Sequence, residues 1–224
     1  MKLLFLGTGA ADWNYSVDKD NPEYRRNASL LIDGELLIDP GPDVIDAIRC
    51  FKVEISKIKY VIFTHRHKDH YNELTVEKLL SFGARIIEFN DGDVKNAGKY
   101  VITALNANHS IKTNHYLISD GEKCVFYGLD GAWLQYNEFK ALMQTKPQFL
   151  VLDATVGFGF GQYSTIEHNN LRMVIDIKSL LENSVERFII SHMSKSMHTD
   201  HKTVSEKMSE YGIEVAYDGL KVEI

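Results

Sequence analysis

Apolar runs of four or five residues, each cut off by glycine, proline, aspartate or histidine, recur along this chain and alternate with helix-spaced stretches. Lys2–Leu6 reads as a strand ending at the turn Gly7-Thr8-Gly9, and Asp12–Arg26 as a long polar loop studded with aromatics. Ser29–Ile32 and Glu35–Ile38 flank Asp33-Gly34, the signal of a β-hairpin with a two-residue turn. Asp39-Pro40-Gly41-Pro42 closes it, and Val44, Ile45, Ile48 and Phe51 carry helical spacing across Asp43–Phe51. A buried strand at Tyr60–Phe63 leads into a polar loop and a helix over Glu73–Phe82. Further strands are predicted at Arg85–Phe89, Tyr100–Ala104, His115–Ser119 and Lys123–Tyr127, the last two joined by Asp120-Gly121.

The second half alternates. Helix Ala132–Met143 precedes strand Phe149–Leu152 and a glycine-rich loop from Gly157 to Gly161. Helix Asn169–Leu181, strand Arg187–Ser191, helix Asp200–Tyr211 and strands Ile213–Tyr217 and Lys221–Ile224 complete the chain. A strand-heavy first half, an alternating second half and one apolar face on most helices predict an α+β fold. Its two central sheets are covered by helices on both outer sides.

Composition narrows this. With 224 residues and 44% hydrophobic content the chain can bury one sizeable core, so residues 1–224 read as a single domain. A net charge of −6 and no basic tract disfavour a long nucleic acid or a membrane surface as partner. Cys50 and Cys124 lie at or inside apolar runs without ligand-like pairing, which predicts buried free thiols in a reducing compartment. Leu3–Leu6 is too short for a signal-peptide core or a membrane span, so a soluble cytoplasmic protein is expected.

The densest chemistry is Thr64-His65-Arg66-His67-Lys68-Asp69-His70, behind the apolar run Tyr60–Phe63. His65 and His67, two apart, can face one cation, and Asp69 and His70, past the bend, can reach a second. Zinc-type sites take neutral imidazoles and carboxylates at about 2.0–2.2 Å, and two-ion hydrolytic sites hold their ions roughly 3.5–4 Å apart. Three more ligand-type residues follow predicted strands: His109, Asp130 and His192. Any one of them alone would read as a turn former. Their repetition at the same kind of position points to one site.

In this order the motifs resemble the metallo-β-lactamase-fold hydrolases. The likeness runs from Ile38-Asp39-Pro40-Gly41 through the His-x-His-x-Asp-His signature at His65–His70 to His109, Asp130 and His192. It implies a four-layer αββα sandwich with two mixed sheets and the site along one edge. His65, His67 and His109 would hold one ion, Asp69, His70 and His192 the other, with Asp130 bridging. The cofactors implied are two divalent ions per chain, zinc or manganese, with iron as the alternative. Within that superfamily the chain is most similar to the phosphoribosyl cyclic phosphate phosphodiesterases. The supporting segments are Leu6–Gly9, Tyr24–Arg26, Leu150–Asp153, Glu167–Asn169 and Tyr217–Leu220. The cysteine cluster that binds a structural zinc in many relatives has no counterpart in Asp12–Tyr24.

Two such ions suit in-line attack on a phosphodiester, with Asp69 orienting the nucleophile as well as binding metal. His168, outside the ligand set and just before a predicted helix, is the candidate donor to the leaving oxygen or to the phosphate. The helix dipole should depress its imidazole pKa. Asp39 and Asp153 are candidates to orient ligand imidazoles. Arg25 and Arg26 can clamp a phosphate, and Phe158, Phe160 and Tyr163 can wall a base or sugar ring. His198 and His201 read as solvated imidazoles at a helix start, and His115 as a satisfied residue at the core's edge. The reading is therefore a phosphodiesterase for a small cyclic or nucleotide-like phosphate, with a homodimer among the assemblies allowed. A thioester or lactone hydrolase, a tRNA-processing nuclease and a non-hydrolytic metal or redox protein are the alternatives.

Overall fold

Asp33 and Gly34 take φ values of 50° and 73°, and the Ile32 carbonyl accepts from the Glu35 N–H at 2.9 Å. Positive φ at both central positions makes this the type I′ turn whose twist matches paired strands. The computed structural model describes residues 1–159 and 163–224. They divide into two units, Met1–Glu88 with Ala216–Ile224, and Phe89–Val215. Each contains one mixed sheet, so the fold is α+β.

Strands and helices are numbered in chain order. The first unit holds β1 (Lys2–Gly7), α1 (Tyr15–Asp18), β2 (Ser29–Ile32), β3 (Leu36–Ile38), α2 (Val44–Cys50), β4 (Tyr60–Ile62), α3 (Glu73–Ser81) and β5 (Arg85–Ile86). The second holds β6 (Val94–Ala97), β7 (Tyr100–Asn106), β8 (Asn114–Ser119), β9 (Cys124–Gly128), α4 (Tyr136–Thr145), β10 (Phe149–Asp153), α5 (Leu171–Leu181), β11 (Arg187–Ser191), α6 (His201–Ser209) and β12 (Ile213–Val215). The final strand, β13 (Lys221–Glu223), returns to the first unit.

The first sheet has the order β13-β1-β2-β3-β4-β5. β3 and β4 are parallel, so the segments after them, Asp39–Gly41 and Thr64–His70, leave the sheet at one edge. Leu31 and Leu37 pack with Val44, Ala47 and Ile48 of α2 and with Leu79 of α3. The second sheet has the order β12-β11-β10-β9-β8-β7-β6. β9 to β12 are parallel, and two antiparallel pairings return β7 to the direction of β9. The C-terminal ends of β7, β9, β10 and β11 therefore share one edge, the edge where open sheets with parallel strands carry their ligands. Phe126, Leu150, Leu152, Phe188 and Ile190 are covered by Leu171, Val174, Ile177 and Leu181 of α5 and by Val204 and Met208 of α6. Each such side chain contributes roughly 1.5–3 kcal/mol by leaving water.

Several elements differ from the expectations. β6 has no alternating apolar pattern and exposes Val94, because it is the sheet's edge and has little to bury. α4 starts at Tyr136 rather than Ala132, since Trp133 sits at φ 57°, outside helical backbone. Cys50 is exposed, not buried, on the outer side of α2's last turn. Cys124 is half-buried, and burial pushes its thiol up to about 11. Phe160 lies outside the described residues. Among the described residues, no helix is long and apolar enough to cross a membrane.

The return of the chain end to the first unit is held by charge. The Thr8 hydroxyl donates to Asp218 Oδ1 at 2.8 Å, and the Arg26 N–H donates to Asp218 Oδ2 at 2.7 Å. Arg25, buried, donates from Nη1 to Thr8 Oγ1 at 2.7 Å and to the Ala216 carbonyl at 2.8 Å. Arg26 reaches Asp46 Oδ2 with Nε at 3.0 Å and Nη2 at 2.8 Å. Both guanidiniums proposed for phosphate thus bind groups of their own unit. Asp218→Ala removes the acceptor of both the Thr8 hydroxyl and the Arg26 N–H and should cost about 3 kcal/mol in urea unfolding. A loss below about 0.5 kcal/mol would show that the network contributes nothing.

Candidate metal centre

In the first unit, Asp39 directly follows β3, is fully buried and sits at φ 59°. Its Oδ1 accepts the Thr64 N–H at 2.7 Å and the Thr64 hydroxyl at 2.9 Å. With its proton given to Asp39, the Thr64 oxygen accepts from His65 Nδ1 at 2.9 Å. Asp39 Oδ2 lies 2.9 Å from Nδ1 of the fully buried His70. Both imidazoles are thereby protonated on Nδ1, which puts the lone pair on Nε2, the donor atom a cation needs. The His65 ring centroid is 4.5 Å from that of His67 and 4.5 Å from that of His70. Asp69 Oδ2 lies 3.1 Å from His70 Nε2. A Cβ on Gly41 would meet the Asp69 carbonyl at 2.0 Å. Only glycine lets the Ile38–Gly41 segment lie against the histidine loop.

The second unit repeats this device. Asp153, fully buried at the end of β10, accepts the Thr155 hydroxyl at 2.9 Å on Oδ2 and the Asn169 N–H at 2.9 Å on Oδ1. Its Oδ2 is 3.1 Å from His168 Nδ1 and 3.2 Å from His192 Nδ1. Burial works against the Asp153 anion, yet the two imidazoles hold its carboxyl well below the usual range. Thr155, its proton given to Asp153, accepts from His192 Nδ1 at 2.7 Å. His192 Nε2 then faces Asp130 Oδ2 at 3.4 Å. His109 donates from Nδ1 to the Glu167 carbonyl at 3.1 Å. Burial lowers its pKa, and a neutral imidazole is the form that binds metal.

Asp130, Asp153, His168 and His192 offer ligand-type atoms that all lie within 4.8 Å of one another. Imidazoles with preset tautomers beside buried carboxylates are donors suited to zinc, manganese or iron.

His168 corrects an expectation. The helix it was read as preceding starts at Leu171, capped by Asn170, and the imidazole pKa is raised rather than depressed. Burial opposes its charge, but Asp153 and then Asp130, whose Oδ1 lies 3.2 Å from Nδ1, outweigh burial. The partial charge of a helix end fades within a turn, whereas these carboxylates are in contact.

The other candidates are placed as follows. His198 bonds the Ala154 carbonyl at 2.7 Å, and His201 opens α6. The Lys207 ammonium lies 4.0 Å over the half-buried Phe158 ring, and Tyr163 is exposed at the start of a 3₁₀ turn. Sequence reasoning passed over Thr64, Thr155 and the Glu167 carbonyl. The one available signal was a threonine two residues after Asp153, a spacing typical of local side-chain turns.

A family model described as "Anti-Pycsar protein Apyc1" matches residues 1–80, a stretch that includes His65–His70. No curated protein matches the chain. Among solved structures, the metallo-β-lactamase-fold protein YhfI from Bacillus subtilis is 16% identical, with 100% of this chain and 99% of that one covered and a TM-score of 0.77. A diphosphatase of the PhnP family is 19% identical over 100% and 97% of the two chains, with a TM-score of 0.72. Zinc-bound PqqB from Methylobacterium extorquens is 14% identical over 100% of both, with a TM-score of 0.74. The chain has the metallo-β-lactamase fold.

Asp39→Asn and Asp153→Asn replace an acceptor-only carboxylate with an amide that can present a donor to the imidazoles. Each should weaken zinc or manganese binding by about 10–100-fold in chelator competition. Unchanged affinity in both would remove the tautomer argument.

Proposed function

We propose that this chain is a divalent-metal-dependent phosphodiesterase acting on a small cyclic or nucleotide-like phosphate. In this reading His65, His67 and His109 bind one ion, Asp69, His70 and His192 a second, and Asp130 both. The ions would be zinc or manganese, with iron as the alternative. When bound, they would supply Lewis acidity toward the phosphoryl group.

The observation that carries the reading is His168, an imidazole set against two buried carboxylates among the ligand-type residues, which raise its pKa. Its Nδ1–H is committed to Asp153 and Asp130 at 3.1 and 3.2 Å. The proton for a leaving oxygen therefore sits on Nε2, and the side chain keeps 15% exposure. A phosphodiester expels an alkoxide that needs such a proton, and the imidazolium also attracts the phosphate's charge. Asp69 orients the attacking water. Asp153, fully buried, stabilises the protonated ring through its Nδ1–H until Nε2 gives up its proton. The PhnP-family diphosphatase among the structural neighbours supports phosphoryl over acyl chemistry. The net charge of −6 supports a small substrate over a long nucleic acid.

Protein purified without chelator should carry close to two equivalents of metal by elemental analysis. A value near zero after reconstitution would end the reading. Asp130→Ala should lose turnover far more completely than melting temperature, and retained wild-type turnover would remove Asp130 from the ligand set.

His168→Ala should slow cleavage of alkyl phosphodiesters by about 10²–10⁴-fold while leaving metal content unchanged. The loss should shrink for nitrophenyl esters, whose leaving groups need little protonation. Equal losses for both kinds of ester would make His168 a phosphate-binding group instead. A chain that cleaves thioesters or lactones but no phosphodiester would refute the proposal.

A further inference from the structure

His115 and Glu138 form a buried ion pair that the hydrolytic reading does not use. His115, in β8, is 1% exposed and Glu138, in the first turn of α4, is 0% exposed, with Oε1 2.5 Å from His115 Nδ1. Glu138 lies one turn before the buried Leu142 on the same side of α4, where the helix pattern calls for an apolar residue. A charge there is costly unless it is paired, so its presence needs a reason.

The pair touches the segment carrying Asp130 at several points. A Cβ on Gly131 would lie 2.6 Å from His115 Cε1 and 2.8 Å from Nε2, so the Gly131 backbone rests directly on the imidazole. A Cβ on Gly128 would lie 3.3 Å from His115 Nδ1. These two glycines bracket Leu129 and Asp130. The other oxygen of Glu138, Oε2, accepts the Gln135 N–H at 2.7 Å, five residues beyond Asp130. His115 Nε2 is buried with no hydrogen-bond partner among the described residues. The ring is therefore held by Glu138 at one end and spends its other end on the loop backbone.

We propose that the Glu138–His115 pair positions Asp130. Glu138 fixes the imidazole plane through Nδ1, and the fixed ring supports the backbone from Gly128 to Gly131. That support keeps Asp130 at φ 58°, a conformation few side chains adopt, with Oδ1 toward His168 and Oδ2 toward His192. The two oxygens of Glu138 also explain why a carboxylate occupies this place. One clamps the ring, and the other ties the downstream end of the same loop to the start of α4. This inference rests on the reading of Asp130 as a metal ligand and adds two positioning residues outside the ligand set.

The test uses the full chain and four variants: Glu138→Gln, His115→Phe, their combination and Gly131→Ala. His115→Phe keeps a ring beneath the loop and loses the clamp. Gly131→Ala keeps the pair and lifts the loop off it. Three readouts are taken: zinc affinity by chelator competition, the visible spectrum of the cobalt-substituted protein, and KM and kcat on a nitrophenyl phosphodiester. Each single variant should lose about 10–100-fold in zinc affinity and in kcat, with an altered cobalt spectrum and a KM within about twofold. The double variant should be no worse than the worse single one, because both act through one element. If Glu138→Gln fails to fold, Gly131→Ala alone decides. Folded variants with wild-type zinc affinity and cobalt spectrum would overturn the proposal and make the pair purely structural. A wild-type chain that takes up no metal would instead overturn the ligand reading on which the proposal stands.

Discussion

A carboxylate cannot be taken fully out of water unless its charge is met. Asp39 and Asp153, both at 0% exposure, meet that constraint with the same kinds of partner. Each closes a strand, accepts a threonine hydroxyl and at least one backbone N–H, and lies beside an imidazole Nδ1. Satisfying the carboxylate and setting the imidazole tautomer are one event. The residues that make each unit foldable at this edge are those that aim its Nε2 atoms. Removing an imidazole would leave a buried anion short of a partner, so stability and metal-binding competence should fall together.

The backbone at these positions is as informative as the side chains. Asp39, Asp130 and His192 all adopt left-handed φ values, 59°, 58° and 62°. Aspartate and histidine tolerate this region better than most residues, but each still carries strain that its surroundings must hold. For Asp39 the hold is the Thr64 amide and hydroxyl, and for His192 it is Thr155 and Asp153. For Asp130 the contacts are the Asp153 oxygen that its own N–H reaches at 3.3 Å and the imidazole beneath Gly131. A sharp left-handed turn at a strand's end is a direct way to keep a side chain at the sheet edge while the chain departs.

Much of this was legible in the sequence because the fold depends on burial that leaves a periodic trace. The Asp33-Gly34 hairpin, the strand before His65 and the apolar stripe of α5 follow from alternation, turn chemistry and helical spacing. The ligand-type residues were legible because four of them crowd one loop and the rest follow strands. What escaped carries no such trace. β6 is an exposed edge with little to bury. The break at Trp133 is a backbone angle, invisible in a run as apolar as Ala132–Leu134. Glu138 and His115 are 23 residues apart and meet only in three dimensions. Arg25 and Arg26 looked like phosphate clamps because a loop arginine advertises its charge, and its internal partners, Thr8 and Asp46, cannot be read from spacing.

His168 shows how magnitudes choose between two reasonable arguments. A helix end acts like about half a charge and is worth about 0.3–1 kcal/mol at an exposed site. A full opposite charge at 4 Å is worth about 4 kcal/mol at an effective dielectric of about 20. With Asp153 and Asp130 within 3.2 Å of Nδ1, the carboxylates win and the imidazole is held toward its charged form. The two carboxylates are not equivalent in this. A cation on Asp130 would spend part of that residue's field, and the proton on His168 would become easier to lose. Asp153 keeps its field, because its oxygens are committed to Thr155, to Asn169 and to the imidazoles themselves. The fully buried carboxylate, and not the one placed among the ligands, therefore sets how firmly His168 holds its proton.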